Sequence, residues 1–269
     1  MILRELVHRE IKATGPATPI SDAAKEMRLH EIGSLFIEEG GNYVGIVTDS
    51  DLIRKVLTKD IPLDTPVRAI MHSPVIEIDI EKSVIEANHL MHFNGIRHLG
   101  VSEKGKIVGL ISVRDLVRYF SSDKKSALNT MGDVFKPLTV LTRRDIQTIK
   151  ASASSKEAAQ KMAGSKIGSL IISEEENYTG IVTETDLVRK VIGYNLAASE
   201  IPVGVIMNTP IMDIDISRSV QEATETMATK GVRHLAVRDG EEIVGILSIR
   251  DLIGMISVRD LPRFFSAKD

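Results

Sequence analysis

The sequence predicts an α/β chain of the α+β kind, four copies of a strand-helix-strand-strand-helix unit arranged as two tandem pairs. Three observations predict it. First, Gly45-Ile-Val-Thr-Asp-Ser-Asp51-Leu52 recurs as GLISVRDL from Gly109, GIVTETDL from Gly180 and GILSIRDL from Gly245. Second, these glycines lie 64, 71 and 65 residues apart, so the longer middle step groups the copies in twos. Third, the halves match when shifted: Gly45 to Leu57 and Gly180 to Ile192 agree at nine of thirteen positions. A repeat of this period sets the architecture before any single element is read.

The second copy shows the elements in order. Val75-Ile-Glu-Ile is a short β-rich run after Pro74, a residue tolerated at a strand start. From Asp79 to Phe93 the apolar residues Val84, Ala87, Leu90 and Met91 follow helical spacing. Gly95 can reach the positive φ of a helix C-cap. His98-Leu-Gly-Val is a strand, Glu103-Lys-Gly-Lys a hairpin turn, and Ile107 to Ile111 the partner strand. Ser112 then opens a helix through Phe120.

The other copies fit the same template. In the first, Ser21 is expected to cap the helix holding Ala24 and Met27, Leu35-Phe-Ile is a strand and Gly40-Gly-Asn the turn. In the third, Ser154 or Ser155 caps the helix with Ala159 and Met162, and Glu174-Glu-Glu-Asn is the turn. Counting from Ile11 to Leu35 gives 25 residues, against 22 from Ile149 to Leu170, so a longer loop is expected around Gly15-Pro-Ala-Thr-Pro19. The division by duplication places one pair at 1–125 (copies about 3–60 and 64–121) and the other at 126–269 (copies about 139–195 and 203–265).

Composition narrows the function classes. The 269 residues include 43% hydrophobic and 26% charged, near globular averages, so a packed core is expected. Aromatic residues are only 4% and tryptophan is absent, so that core is aliphatic. A net charge of −3 gives no broad basic field for nucleic acid or an anionic membrane. Cysteine is absent, which removes disulfides and thiolate metal sites. With no signal-like or membrane-length apolar run, a cytoplasmic location is expected.

The recurring hydroxyl and acid are the chemistry. Thr48 and Asp51, Ser112 and Asp115, Thr183 and Asp186, Ser248 and Asp251 stand three apart at the start of a helix. One reading is a capping box, with hydroxyl and acid satisfying the first helical amides. The other is a ligand edge, where a carboxylate accepts from a vicinal diol such as that of a ribose. Capping boxes favour Glu or Gln at the acid position, and here all four are Asp. A second asymmetry concerns anions. The middle strand opens with Arg97-His98 and Arg233-His234 in copies two and four, but Gly33-Ser34 and Gly168-Ser169 in copies one and three. Arg offers a planar fork to phosphate oxygens and His a pH-tuned partner. Three features look bland: His72, His89 and His92 lack a metal-ligand pattern, Lys124-Lys125 and Arg143-Arg144 read as solvated linker charges, and Asp260 in the second Ser-x-x-Asp copy at Ser257 faces away from Asp251.

A β-α-β-β-α unit of about sixty residues, in tandem pairs and ending Gly-h-h-[Ser/Thr]-x-x-Asp-Leu, resembles the CBS (cystathionine-β-synthase) domain, here four repeats in two modules of the Bateman type. The layout is similar to that of the gamma-subunit family of AMP-activated kinase and its stand-alone prokaryotic relatives. The resemblance implies a non-catalytic regulatory or energy-sensing protein, without cofactor or metal, that binds an adenine-containing regulatory ligand (AMP, ADP, ATP or S-adenosylmethionine) in clefts between paired repeats. It implies ribose at the four hydroxyl-acid pairs and phosphate at Arg97, His98, Arg233 and His234. It also implies base-flanking roles for Met71, Pro74, Val75, Met207, Pro210 and Ile211. A regulated protein partner and a disc-like association, within one chain or between two, belong to the same expectation. Two rivals stay open: a ligand-independent interaction module, and an enzyme on adenine nucleotides, for which no catalytic constellation is present in the sequence.

Overall fold

The computed structural model describes residues 2–122, 136–175 and 177–255. The 125/126 division, Lys124-Lys125, Glu176 of the third hairpin turn, and Ser257 with Asp260 lie outside the described residues.

A β-hairpin anchors each repeat, and a short parallel strand is added to it by a helical crossover. The first repeat comprises β1 (Ala13–Thr14), α1 (Ile20–Leu29), β2 (Ser34–Glu39) and β3 (Asn42–Thr48). It ends in α2 (Asp49–Asp51), which continues as a π-helical segment, Leu52–Leu57. The second comprises β4 (Glu77–Asp79), α3 (Val84–Asn94), β5 (His98–Glu103), β6 (Lys106–Ser112) and α4 (Val113–Ser122). The third comprises β7 (Thr148–Lys150), α5 (Ser155–Ser165), β8 (Ser169–Glu174), β9 (Asn177–Thr183) and α6 (Glu184–Lys190). The fourth comprises β10 (Asp213–Asp215), α7 (Val220–Lys230), β11 (His234–Asp239), β12 (Glu242–Ser248) and a helix over 249–255. Four three-stranded sheets result, each with one parallel and one antiparallel pairing.

Local chemistry explains these elements. Ser83, Ser154 and Ser219 each form a capping box with the Glu three residues on, satisfying the first amides of α3, α5 and α7. Gly95 ends α3 at φ 64°, as its position predicts. In the second hairpin, Lys104 and Gly105 both take positive φ, the conformation a two-residue turn requires.

Three expectations are corrected. Ser21 does not cap α1. Its N-cap is Pro19, and the first amides go instead to distant backbone carbonyls, Ile20 N–H to Thr65 O and Ser21 N–H to Leu63 O. The loop through Gly15 to Pro19 carries no extra residues: Ala13 pairs Phe36 and Thr148 pairs Ile171, a separation of 23 in both. The strand equivalent to Thr148–Lys150 simply begins two residues after Ile11. The first strand of the second repeat starts at Glu77, so Val75 is buried ahead of it.

Contacts divide the chain into two compact units, and these do not follow sequence order. Unit 1 holds residues 1–10, 76–146 and 212–269, and so the second and fourth repeats. Unit 2 holds residues 11–75 and 147–211, the first and third repeats. Each has one aliphatic core. In unit 1, Val84, Met91, Leu99 and Leu116 pack with Val220, Met227, Leu235 and Leu252. In unit 2, Ala24, Met27, Leu35 and Leu52 pack with Ala159, Met162, Leu170 and Leu187.

The stretch ahead of each repeat completes its tandem neighbour. His8 bridges Leu110, His72 bridges Ile46, Arg143 bridges Ile246 and Asn208 bridges Ile181, each in antiparallel fashion. This lead-in crosses at the recurring glycine. A Cβ on Gly109 would lie 2.8 Å from His8 O and far inside van der Waals contact distance of Val7 Cγ2. Gly is required there by close backbone approach.

Candidate functional site

Each hairpin delivers its hydroxyl residue to the first turn of the second helix. Ser34 faces Thr48 in register, His98 faces Ser112, Ser169 faces Thr183, and His234 faces Ser248. The carbonyl of the residue before each of these partners accepts from the first helical amide: Gly33 O from Asp49 N–H, Arg97 O from Val113, Gly168 O from Glu184 and Arg233 O from Ile249. The basic pairs and the hydroxyl-acid pairs of the second and fourth repeats are thus neighbours across one strand pairing.

The four Asp side chains share one arrangement. In each, Oδ2 accepts from the backbone N–H and the hydroxyl of the residue three before it. These distances are 2.9 and 2.7 Å for Asp51, 2.8 and 2.6 Å for Asp115, 2.9 and 2.6 Å for Asp186, and 2.8 and 2.5 Å for Asp251. Capping therefore occupies one oxygen of each carboxylate. The other oxygen, Oδ1, meets a cation. His8 Nε2 lies 2.8 Å from Asp115 Oδ1, and His72 Nε2 lies 2.8 Å from Asp51 Oδ1. Arg143 approaches Asp251 Oδ1 through Nε at 2.9 Å and Nη2 at 2.7 Å. In the third repeat Lys190 Nζ lies 2.9 Å from Asp186 Oδ1, while Asn208 donates to Oδ2 at 2.9 Å. Lys55 adds a second cation at Asp51 Oδ1, also 2.8 Å.

His8, His72, Arg143 and Asn208 occupy one equivalent position, the bridging residue of the lead-in. The sequence reading missed this role and placed Arg143 among solvated linker charges. The partner carboxylate is 108 residues away, so only the fold brings them together. A signal was present: these residues follow Met71, Met207 and their counterparts Val7 and Thr142, all of which pack on the recurring glycines.

The residues expected to flank a base fall in the same lead-ins. Met71 Sδ and Met207 Sδ sit over Gly45 and Gly180. Pro74 and Pro210 follow cis peptide bonds, and Val75 is buried.

Of the residues expected to hold an anion, Arg97, His98 and Arg233 lie together in unit 1. Arg97 is buried, and His98 feels Arg97, Arg233 and Arg114 in unit 1. Burial, then repulsion from these guanidinium groups, pushes the His98 imidazole down to about 3. It is therefore neutral across the physiological range and does not act there as the proton switch its type suggested. It remains able to offer one N–H.

In unit 2 the same helix starts are acidic. Asp49 and Glu184 are fully buried, and the two repeats lock them reciprocally: Thr185 Oγ1 donates to Asp49 at 2.7 Å and Ser50 Oγ to Glu184 at 2.9 Å.

The chain belongs to the CBS domain family, whose model matches residues 3–58, 67–122, 138–193 and 199–258. CBS domains are in general regulatory, non-catalytic modules. The crystal structure of MJ1225 from Methanocaldococcus jannaschii superposes with a TM-score of 0.78 over 95% of this chain and 99% of that one, at 18% identity. The protein MJ1404 of the same organism is 25% identical over 266 residues, covering 93% of this chain and 60% of its own length. A 17.7 kDa protein of Acidianus ambivalens is 34% identical over 116 residues, 42% of this chain and 70% of that protein. Among the described residues no helix is long and apolar enough to cross a membrane.

Proposed function

We propose that this protein is a non-catalytic sensor of adenine nucleotides or adenosyl ligands, AMP, ADP, ATP or S-adenosylmethionine, that regulates a partner protein. One observation carries the reading. In every repeat the helix-start carboxylate spends one oxygen on capping, and in the second and fourth repeats the other oxygen meets an exposed lead-in side chain, His8 or Arg143, that a ribose diol can replace. Thr48 and Asp51, Ser112 and Asp115, Thr183 and Asp186, Ser248 and Asp251 are the ribose edges. Arg97, His98, Arg233 and His234 take phosphate, since a phosphate beside the carboxylates would be repelled. Met71, Pro74, Val75, Met207, Pro210 and Ile211 line the base. Membership of the CBS family supports this assignment.

The test is thermal unfolding alone and with each of the four compounds at millimolar concentration. A ligand at about 100 times its Kd stabilises by roughly 2.7 kcal/mol, several degrees in midpoint. Asp115→Ala and Asp251→Ala each lose a cap worth about 0.5–2 kcal/mol, so the ligand-induced rise, not the midpoint itself, is the readout. A rise that disappears in these variants supports the reading. The capping arrangement favours a second reading, a ligand-independent interaction module, because the carboxylates already have structural work. No rise with any compound would establish that alternative.

A further inference from the structure

We propose that the bridging residues of the unit 1 lead-ins, His8 and Arg143, set how open Asp115 and Asp251 are to a ligand, and that these two carboxylates are the responsive pair. The inference rests on the nucleotide-binding reading and deepens it.

Two kinds of partner hold the free oxygens. Asp51 and Asp186 are paired with a lysine one helical turn ahead, Lys55 or Lys190. These lysines are themselves fixed, donating to Ile70 O at 2.6 Å and Ile206 O at 2.7 Å. Moving them would break a second hydrogen bond, and the pair lies within one element of the fold. At the same spacing from Asp115 and Asp251 the sequence has Tyr119 and Met255. Their free oxygens are met, among the described residues, by the lead-in alone.

The lead-in side chain is a displaceable partner. The side chains of His8 and Arg143 are 56% and 63% exposed, while the carboxylates they reach are only 9% exposed. An exposed cation can exchange its carboxylate for water at little cost. The carboxylate cannot do so, and a diol arriving with two O–H donors satisfies it. The residue identity then grades the two sites. Arg143 keeps its charge at every physiological pH and holds Asp251 through two nitrogens. His8 meets Asp115 through one nitrogen where Arg143 meets Asp251 through two, so it competes more weakly. Asp115 is accordingly the tighter site and Asp251 the guarded one.

The test is calorimetric titration of the full chain with AMP, and in parallel ADP, ATP and S-adenosylmethionine. Arg143→Ala is expected to tighten binding about tenfold or to add one binding event per chain, and Asp251→Ala in the same chain to abolish the gain. Arg143→Gln, which keeps bulk and donors but not charge, is expected to fall between. His8→Ala gives a smaller gain, lost with Asp115→Ala. The direction is diagnostic, because removing a cation weakens attraction for a phosphate anion at long range, so tighter binding cannot arise from net charge. Gain in Arg143→Ala with no detectable binding by the unaltered protein also supports the proposal. Ligand binding that is unchanged or weaker in Arg143→Ala, Arg143→Gln and His8→Ala overturns it while leaving the nucleotide reading intact. No binding by any of these proteins to any of the four compounds overturns the nucleotide reading, and this inference with it.

Discussion

The two units use one backbone frame to opposite electrostatic ends. In unit 1 the second helix of each repeat opens Val113-Arg114 or Ile249-Arg250, beside Arg97-His98 or Arg233-His234. In unit 2 it opens Asp49-Ser50 or Glu184-Thr185, beside Gly33-Ser34 or Gly168-Ser169. The hydrogen bonds that position these residues are the same in all four repeats, so the difference lies in side chains alone. Unit 2 spends its helix starts on holding two repeats together, through the reciprocal Thr185–Asp49 and Ser50–Glu184 bonds. Unit 1 gathers positive charge at the equivalent place, which packing does not require.

Substitutions at the recurring glycines should give the largest contrast between the units. Gly109→Ala drives a Cβ into Val7, a stiff β-branched side chain, and to 2.8 Å from His8 O. Gly180→Ala meets Met207 Sδ at 2.5 Å and Asn208 O at 3.1 Å, and a thioether can swing aside. Urea denaturation should show a cost of about 3 kcal/mol for the first and about 1 kcal/mol for the second. Equal costs would show that the lead-ins grip the two units alike.

A second effect separates the units by pH. The depressed His98 stays neutral in the folded chain down to about 3, while in the unfolded chain it protonates below roughly 6.5. Folding stability attributable to this group is fully present above about pH 6.5 and declines as pH falls toward 3, by up to about 1.4 kcal/mol per pH unit. Denaturation profiles between pH 4 and 8 should be flatter for His98→Asn than for the unaltered protein. Parallel profiles would mean that the surrounding guanidinium groups do not hold the imidazole neutral.

The smallest effect compares two helices inside unit 2. Ser154→Ala removes a side-chain cap from α5 and should lower stability by about 1 kcal/mol. Ser21→Ala in α1 should change it by less than about 0.5 kcal/mol, since backbone carbonyls of Leu63 and Thr65 serve that helix start. A Ser21 variant as costly as Ser154 would contradict the backbone capping.

What was legible in the sequence was local or periodic. The repeats follow from recurrence every 64 to 71 residues, and the order of elements, the Gly95 cap and a cap at Ser154 or Ser155 follow from patterns within about fifteen residues. What was not legible depends on pairing at long range. Ser21 resembles a cap by type, yet the carbonyls that replace it arrive from forty residues further on. The apparent extra residues before α1 came from aligning Ile11 with Ile149 by hydrophobicity, where strand register aligns Ala13 with Thr148. Arg143 has the composition of a linker charge, and nothing nearby announces Asp251. The depression of His98 needs the burial the fold imposes, and then Arg97, Arg233 and Arg114 in place around it. The hydroxyl-acid pairs were visible because repetition exposes them, but their second partners came only from the lead-ins.

The exchange of lead-ins has a consequence for the order in which the chain is made. Leu3 and His8 are made ahead of the first repeat, but the backbone of Leu3 bonds Lys82 and the side chain of His8 reaches Asp115, 107 residues later. This lead-in has no home until the second repeat has left the ribosome. The first repeat, meanwhile, lacks the edge that Pro66 to His72 provides until its successor has begun. Synthesis therefore delivers neither repeat as a finished object, and the tandem pair is the smallest stretch of nascent chain in which every lead-in of that pair finds its seat.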